Sequence, residues 1–181
     1  MNDIGLASIP QLDWVFAYGS LIWRPGFAPA GSEPALLVGA HRSLCIYSHL
    51  YRGTPDVPGL VFGLEAGGAC QGVGFRIDPA NWTEVCAYLW AREQVNGVYR
   101  PSVETIELAN GDKVSALTFL ADATHKQYAG KLTLEEQVTV VRSGFGTVGS
   151  NVDYVLNTAQ HLEELGIADP NLRVIRSLLL D

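Results

Sequence analysis

The sequence predicts an α+β fold: a mainly antiparallel, barrel-like sheet with flanking helices, formed as one domain over residues 1–181 with a lead-in at 1–13. Three observations predict it. β-rich runs separated by turn residues fill the first two thirds of the chain. Helical periodicities close it. Strands and helices do not alternate as βαβ units, so a parallel doubly wound sheet is not expected. Nineteen glycines and nine prolines supply the tight turns that such a strand-rich chain needs.

The elements follow in order. Trp14 to Tyr18 is a short apolar run that ends in Gly19-Ser20, which reads as a strand followed by a turn. Leu60 to Leu64 and Cys70 to Ile77 are β-rich runs joined by Ala66-Gly67-Gly68, and they read as a hairpin. Val103 to Leu108 and Lys113 to Leu120 flank Ala109-Asn110-Gly111-Asp112, a second hairpin whose Asn-Gly pair tolerates positive φ. Asp78-Pro79 is an N-cap followed by proline at the first helical position. Trp82, Val85, Cys86, Leu89 and Trp90 then mark one apolar helical face. Thr133 with Glu136 fits a capping box, with Leu134, Val138 and Val141 as the stripe and Gly144 as the stop. Ser150 opens a helix that Gly166 ends, and Asp169-Pro170 opens the last one.

Composition narrows the function. A chain that is 48% hydrophobic and 17% charged can bury a sizeable core. A formal net charge of −7 repels phosphate backbones, so no nucleic-acid partner is expected. No secretory signal and no bilayer-spanning apolar run are apparent. Cys45, Cys70 and Cys86 show no C-x-x-C spacing, and an odd count does not suggest a disulfide framework. His41, His49, His125 and His161 fit no zinc spacing. The expectation is a cytoplasmic protein with no metal, no cofactor and no membrane partner, acting on a small molecule.

Glu93 is the most informative polar residue. Continuing the helical stripe from Trp82 through Cys86 and Leu89 in steps of four, three and four arrives at position 93, which delivers a carboxylate to a partly buried place at a helix C-terminus. Burial and the helix dipole both push a carboxyl pKa upward, as a base working near neutral pH requires. The same pattern also fits a frayed helix end with Glu93 in solvent or paired with Arg92 or Arg100. Tyr18-Gly19-Ser20-Leu21 can expose backbone N–H groups and a hydroxyl to a carboxylate or an oxyanion, or it is an ordinary turn. Ser20 sits in A-Y-G-S-L rather than G-x-S-x-G, which gives a hydrolase nucleophile little support. Arg52, in Tyr51-Arg52-Gly53-Thr54-Pro55, can fork onto a carboxylate or lie on a surface loop. The glycine-rich connection from Ser143 to Asn151 either covers a ligand or serves as helix capping alone.

Taken together these segments resemble the ChaC-type γ-glutamylcyclotransferases. Val15-Phe16-Ala17-Tyr18-Gly19-Ser20-Leu21-Ile22-Trp23 is similar to that family's V-F-G-Y-G-S-L-x-W signature. Tyr51-Arg52-Gly53-Thr54-Pro55 with Pro58-Gly59 resembles its R-G-x-x-x-x-P-G loop. Gln71-Gly72-Val73-Gly74-Phe75-Arg76 resembles its W-G-V-A-Y-R strand, and Arg92-Glu93 with Gly97-Val98-Tyr99 its R-E…G-G-Y segment. Ser143-Gly144-Phe145 with Asn151, Asp153, Tyr154 and Val155 resembles its S-G-x-S-G-x-N-x-E-Y-L stretch. The departures are Ala17, Val98 and Asp153, and none removes a proposed chemical group.

The resemblance, which spans about residues 14 to 165, implies a γ-glutamylcyclotransferase-like fold and a specific reaction. Glutathione would be cleaved to 5-oxoproline and Cys-Gly, with Glu93 as the catalytic acid/base. Val15, Phe16, Ala17, Tyr18, Gly19, Ser20 and Leu21 would bind the glutamyl end, with Arg52 and Tyr99 positioning the remainder. A cyclotransferase for other γ-glutamyl amino acids or amines shares the same loop and carboxylate. A non-catalytic γ-glutamyl-binding module would keep the pocket without needing Glu93.

Overall fold

The computed structural model describes residues 6–93 and 95–181. Its main strands are β1 (Trp14–Ala17), β2 (Gly31–Ser48), β3 (Gly59–Arg76), β4 (Tyr99–Leu108) and β5 (Lys113–Ala121), which close into a barrel in the order β1-β3-β2-β4-β5. β1 with β3, β2 with β4 and β4 with β5 are antiparallel. β1 lies parallel to β5 through Val15 and Leu117. The α+β, mainly antiparallel expectation therefore holds. Four helices complete the chain: α1 (Trp82–Glu93), α2 (Leu134–Ser143), α3 (Asn151–Glu164) and α4 (Pro170–Leu180). The described chain divides into two compact units, residues up to Arg42 with Leu64–Asp122, and Ser43–Gly63 with Ala123–Asp181.

In the first unit, β1 is almost wholly buried: Val15, Phe16 and Ala17 are core residues, as are Leu37, Ile106, Leu117 and Phe119. α1 starts where the sequence says it should. The Asp78 side chain accepts a hydrogen bond from the Ala80 amide at 2.9 Å, and Pro79 leads a short 3-10 turn into the helix. Trp82, Val85, Cys86 and Leu89 form its buried face. Each large apolar side chain removed from water on such a face contributes about 1.5–3 kcal/mol, which holds the helix in place although it is only three turns long. The β4–β5 hairpin runs in register from Tyr99 opposite Ala121 to Glu107 opposite Lys113. Its turn differs in detail from the expectation, since only Gly111 takes a positive φ, of 88°. Asn110 instead uses its side chain, accepting from the Asp112 amide at 2.9 Å.

Two features of the sheet depart from the sequence reading. The hairpin expected between Leu60–Leu64 and Cys70–Ile77 does not form; β3 runs unbroken through both. Gly67 and Gly68, at φ 93° and 73°, bend the strand without reversing it. Its partners are remote: β1 pairs with Val73 to Arg76, and a ring nitrogen of His41 on β2 lies 2.9 Å from the Gly67 carbonyl. β2 itself, 18 residues long, was not anticipated. Its buried and open positions do not alternate regularly, so no period-2 pattern marks it.

In the second unit, α2 carries the expected capping box. The Thr133 hydroxyl accepts from the Glu136 amide at 3.2 Å, and the Glu136 carboxylate accepts from the Thr133 amide at 2.8 Å. Gly144 follows α2 with an ordinary φ of −75°, so its glycine is needed for space. A Cβ there would collide with the Arg52 carbonyl and crowd Gly59 and Asn151. The glycine-rich connection beyond it folds into a small antiparallel pair, β6 (Phe145–Gly146) and β7 (Gly149–Ser150). Ser150 caps α3, Asp169 caps α4, and Gly166 ends the turn after α3 at φ 69°. Val138, Val141, Val155, Leu162, Leu172 and Ile175 are buried here. Among the described residues no helix is long and apolar enough to cross a membrane.

Asn151 is the polar keystone of this unit. It is fully buried, and its side chain accepts from the Leu60 amide at 2.6 Å while donating to the Leu60 carbonyl at 2.7 Å. The Tyr154 hydroxyl accepts from the Phe62 amide at 3.2 Å. The first turn of α3 thus serves the β3 backbone as a neighbouring strand would. The candidate ligand contact for Asn151 is spent on this backbone pairing. Asn151→Ala strips both Leu60 groups of their partner in a buried place, at about 1–3 kcal/mol for each. We expect a fall of ~2–5 kcal/mol in unfolding free energy, read from the denaturant midpoint at unchanged slope. A midpoint equal to wild type would refute this role.

Candidate active site

The chain leaves β1 through Tyr18 and Gly19 and enters a 3-10 turn at Ser20–Ile22. The turn is closed by bonds from the Ile22 amide to the Gly19 carbonyl and from the Arg24 amide to the Ser20 carbonyl, both 2.9 Å. Its side chains explain why it holds this shape. Tyr18 and Leu21 are buried, and the Tyr18 hydroxyl donates to the Phe119 carbonyl on β5 at 3.0 Å. The side chains of Val15, Phe16 and Ala17 are buried, and the backbone of this stretch pairs with β3 along its length and with β5 at Val15. Part of that backbone is already committed, because the Thr118 hydroxyl donates to the Phe16 carbonyl at 3.2 Å.

Two arginines fasten the turn. Arg42 on β2, itself buried, donates through Nε to the Tyr18 carbonyl at 2.5 Å and through Nη2 to the Gln71 carbonyl at 2.6 Å. Arg92 in the last turn of α1 donates through Nη2 to the Ser20 hydroxyl at 2.9 Å and through Nη1 to the Arg24 carbonyl at 2.6 Å. Tyr88, one helical turn earlier, accepts from the same Nη1 at 3.0 Å, and its ring meets Phe27 edge-on at 6.5 Å. The loop after β1 is therefore bonded to the C-terminal end of α1.

Glu93 is the last residue of α1, so the helical stripe does carry it to the helix end. Its Oε1 lies 3.2 Å from Arg92 Nε, and 17% of its side chain stays accessible. It is neither a solvent-exposed frayed end nor a partner of Arg100, which instead lies 3.9 Å from Asp122. Burial pushes the Glu93 carboxyl above the usual carboxylate range. The charge and hydrogen bond of Arg92 pull in the opposite direction without cancelling that rise. Such a carboxyl, partly accessible and raised in pKa, is a stronger base than an ordinary carboxylate and can take and return a proton. Arg92 bonds both Glu93 and Ser20, which places the acid/base candidate and the Tyr18-Gly19-Ser20-Leu21 turn on one guanidinium.

The other two candidates, Tyr99 and Arg52, are carried by other segments of the chain. Tyr99 is the first residue of β4, opposite Ala121, and the adjoining Val98, where the resembling family has glycine, is buried in the core. Arg52 belongs to the second unit. Its Nη1 donates to the Val148 and Ser150 carbonyls at 3.0 and 3.1 Å, and its guanidinium stands 5.3 Å from the centre of the Tyr154 ring. That side chain secures the β6–β7 hairpin. Of the two arginines that fasten the turn, the sequence names Arg92 as a possible partner of Glu93 and within the Arg92-Glu93 segment, and does not point to Arg42. Arg92 carried one signal, its position next to Glu93, while Arg42 carried none. No cluster of metal-ligating side chains occurs among the described residues.

Comparison with known proteins places the chain in a family. The ChaC-like protein family matches residues 13–179. The glutathione-specific γ-glutamylcyclotransferase of Escherichia coli (strain K12) is 32% identical over 159 residues, covering 88% of this chain and 69% of its own. Glutathione-specific γ-glutamylcyclotransferase 1 of Danio rerio is 30% identical over 173 residues, covering 92% and 88%. A solved structure of a γ-glutamyl cyclotransferase specific to glutathione from yeast shares the fold, with a TM-score of 0.85 at 22% identity over 94% of this chain and 96% of that one. Matched by the family over residues 13–179 and 30% or more identical to these two relatives over most of its length, the chain belongs to the ChaC-like protein family.

Proposed function

We propose that this protein is a glutathione-specific γ-glutamylcyclotransferase, cleaving glutathione to 5-oxoproline and Cys-Gly, with Glu93 as its acid/base. The observation that carries the reading is the raised, partly accessible carboxyl of Glu93 held on the same guanidinium as the Ser20 turn. The activity named for the curated relatives supports the choice of substrate. We place the reaction in the cytoplasm, which the three buried free thiols support.

The reaction uses the substrate's own nucleophile. The glutamyl α-amine attacks the γ-carbonyl carbon, forming the ring C–N bond, so the step is intramolecular and depends on orientation more than on activation. The amine arrives as an ammonium. Arg92 engages Oε1 of Glu93, and the other carboxylate oxygen takes the ammonium proton. We assign the tetrahedral oxyanion to the Gly19 and Ser20 amides, which sit in a turn fixed by the bonds to those residues' carbonyls. Glu93 then gives its proton to the cysteinyl nitrogen as the scissile C–N bond breaks, and the regenerated carboxylate takes the second proton from the ring nitrogen and passes it to the freed amine, so that 5-oxoproline leaves with Cys-Gly in its ammonium form. The backbone from Val15 to Leu21 holds the glutamyl carboxylate and amine, and Tyr99 positions the remaining peptide. Arg52 is assigned to holding the β6–β7 hairpin. No step calls on a metal or a cofactor.

Glu93→Gln tests the acid/base and the pKa rise together. The amide cannot accept the ammonium proton, so turnover falls by ~100-fold or more. Stability moves the other way. Folding raises the Glu93 pKa, so between the ordinary carboxylate range and the folded value the folded protein retains a proton that the unfolded chain has released. Stability therefore falls as pH rises through that window. The glutamine variant should melt higher than wild type near neutral pH, and the gap should close at about pH 4, where the unfolded carboxyl is protonated as well. A variant that keeps near-wild-type turnover refutes the role of Glu93.

Substrate chemistry separates cyclisation from hydrolysis. N-acetyl-glutathione retains the scissile amide but has no attacking amine, so it should be inert. Glutathione should give 5-oxoproline whose lactam oxygen stays unlabelled in heavy-oxygen water. Labelled glutamate as the first product would rule out the intramolecular route. Faster turnover of γ-glutamyl-alanine than of glutathione would leave the cyclotransferase and remove the glutathione specificity.

A further inference from the structure

Arg92 makes four contacts that no single structural need explains. Nη2 is on the Ser20 hydroxyl at 2.9 Å and Nη1 on the Arg24 carbonyl at 2.6 Å and the Tyr88 hydroxyl at 3.0 Å, while Nε is on Glu93 Oε1 at 3.2 Å. Two of these acceptors belong to the turn after β1, and they lie 72 and 68 residues away in sequence. The other two belong to α1. A helix of twelve residues with a buried apolar face is already seated by Trp82, Val85, Cys86 and Leu89, so the guanidinium is not needed to hold the helix. Fastening a surface loop would need only the two loop contacts. The side chain is only partly exposed, at 23%, and it is planar, so placing one acceptor constrains where the others lie.

We propose that Arg92 is a positioning residue: its guanidinium fixes the Glu93 carboxylate and the Gly19-Ser20 turn relative to each other, so that the proton acceptor and the oxyanion donors are held in register. The inference rests on the reaction proposed above, and it adds a residue that does not itself touch the reacting atoms. Its consequence follows from the division of labour within one side chain. Nε acts on the carboxylate, where charge matters most. Nη1 and Nη2 act on neutral oxygens of the turn and of Tyr88, where the fork geometry matters. Charge and geometry are separable by substitution. Lysine keeps the charge and loses the fork, and methionine loses both while keeping the length of the stem.

The titratable group that also contacts Arg92 is Tyr88 on the same helix, through its hydroxyl, whereas Arg24 on the turn contributes its backbone carbonyl. Arg92 is the one whose charge and hydrogen bond act on the Glu93 carboxyl. Removing it leaves desolvation unopposed, so the carboxyl should protonate at higher pH still. This shift can be read without any turnover, by following the Glu93 side-chain carboxyl carbon in an NMR titration of the intact protein. An arginine that serves folding alone would leave the midpoint in place.

The experiment compares wild type, Arg92→Met and Arg92→Lys by that titration and by steady-state kinetics with glutathione. In Arg92→Met the Glu93 midpoint moves up in pH, kcat falls by about tenfold or more, equivalent to ~1.4 kcal/mol in the activation barrier, and KM rises. In Arg92→Lys the midpoint stays near that of wild type and part of kcat returns, while KM remains raised because Ser20 and the Arg24 carbonyl lose their fork. A midpoint unmoved in Arg92→Met overturns the inference, as does an Arg92→Lys variant equal to wild type in both kcat and KM. Should the methionine variant not fold, Arg92→Gln is read in its place against the same two outcomes. A wild type that yields no 5-oxoproline refutes the proposed reaction instead, and the titration still decides whether Arg92 governs Glu93.

Discussion

A carboxylate taken out of water at the end of a helix is opposed twice, by lost solvation and by the helix dipole. Glu93 is in that situation, and Arg92 is the group whose charge offsets it. Because the offset is partial, the carboxyl stays raised. An ion pair strong enough to cancel the desolvation would leave Glu93 an ordinary anion, a weak base for an ammonium proton. With no counter-ion it would hold its proton to a higher pH. The position of Glu93 between these limits depends on Arg92 being shared. A guanidinium also bonded to Ser20, Arg24 and Tyr88 cannot swing fully onto the carboxylate.

The same sharing ties the fold to the chemistry. The turn after β1 cannot be set by β1 alone, which is four residues long. It is set by what it touches: Arg42 at the Tyr18 carbonyl, Phe119 at the Tyr18 hydroxyl, and Arg92 at Ser20 and Arg24. Each of these partners is carried by a different element, β2, β5 and α1. The turn is thereby rigid before any ligand arrives, which is the condition for backbone amides to stabilise an oxyanion without reorganising.

How much of this was legible in the sequence follows from the range over which each feature is decided. The β4–β5 hairpin was readable because Asn110-Gly111 and the flanking runs that pair are neighbours in the chain. Gly67-Gly68 gave the same local signal and meant something else. Whether a glycine pair reverses a strand or bends it depends on which strands are available to pair, and here β1 and β2 supply them. The capping box at Thr133 and Glu136 and the stop at Gly166 were local and held. Gly144 was placed correctly but for another reason, since the crowding by Arg52, Gly59 and Asn151 belongs to tertiary structure. Glu93 was legible because helical periodicity fixes which face a residue shares. Its counter-ion role for Arg92 was among the readings, but the contacts of Arg92 with Ser20 and Arg24 are set by tertiary folding. The burial of Arg42 against the Tyr18 carbonyl is decided in the same way.

A site with so few chemical groups suits the reaction proposed for it. When the nucleophile is part of the substrate, the enzyme need not build or activate one, and the entropy of bringing two reactants together has been spent in making the peptide. What remains is to move protons off the glutamyl nitrogen, hold one developing charge and keep the chain curled toward the five-membered ring. One carboxyl can do the first, because each proton it accepts from the attacking nitrogen is one that the departing nitrogen takes up. Two amides of a rigid turn can do the second. The third asks only that those groups stay in fixed relation. That places the demand on the side chains that join α1 to the turn, rather than on any further reactive residue.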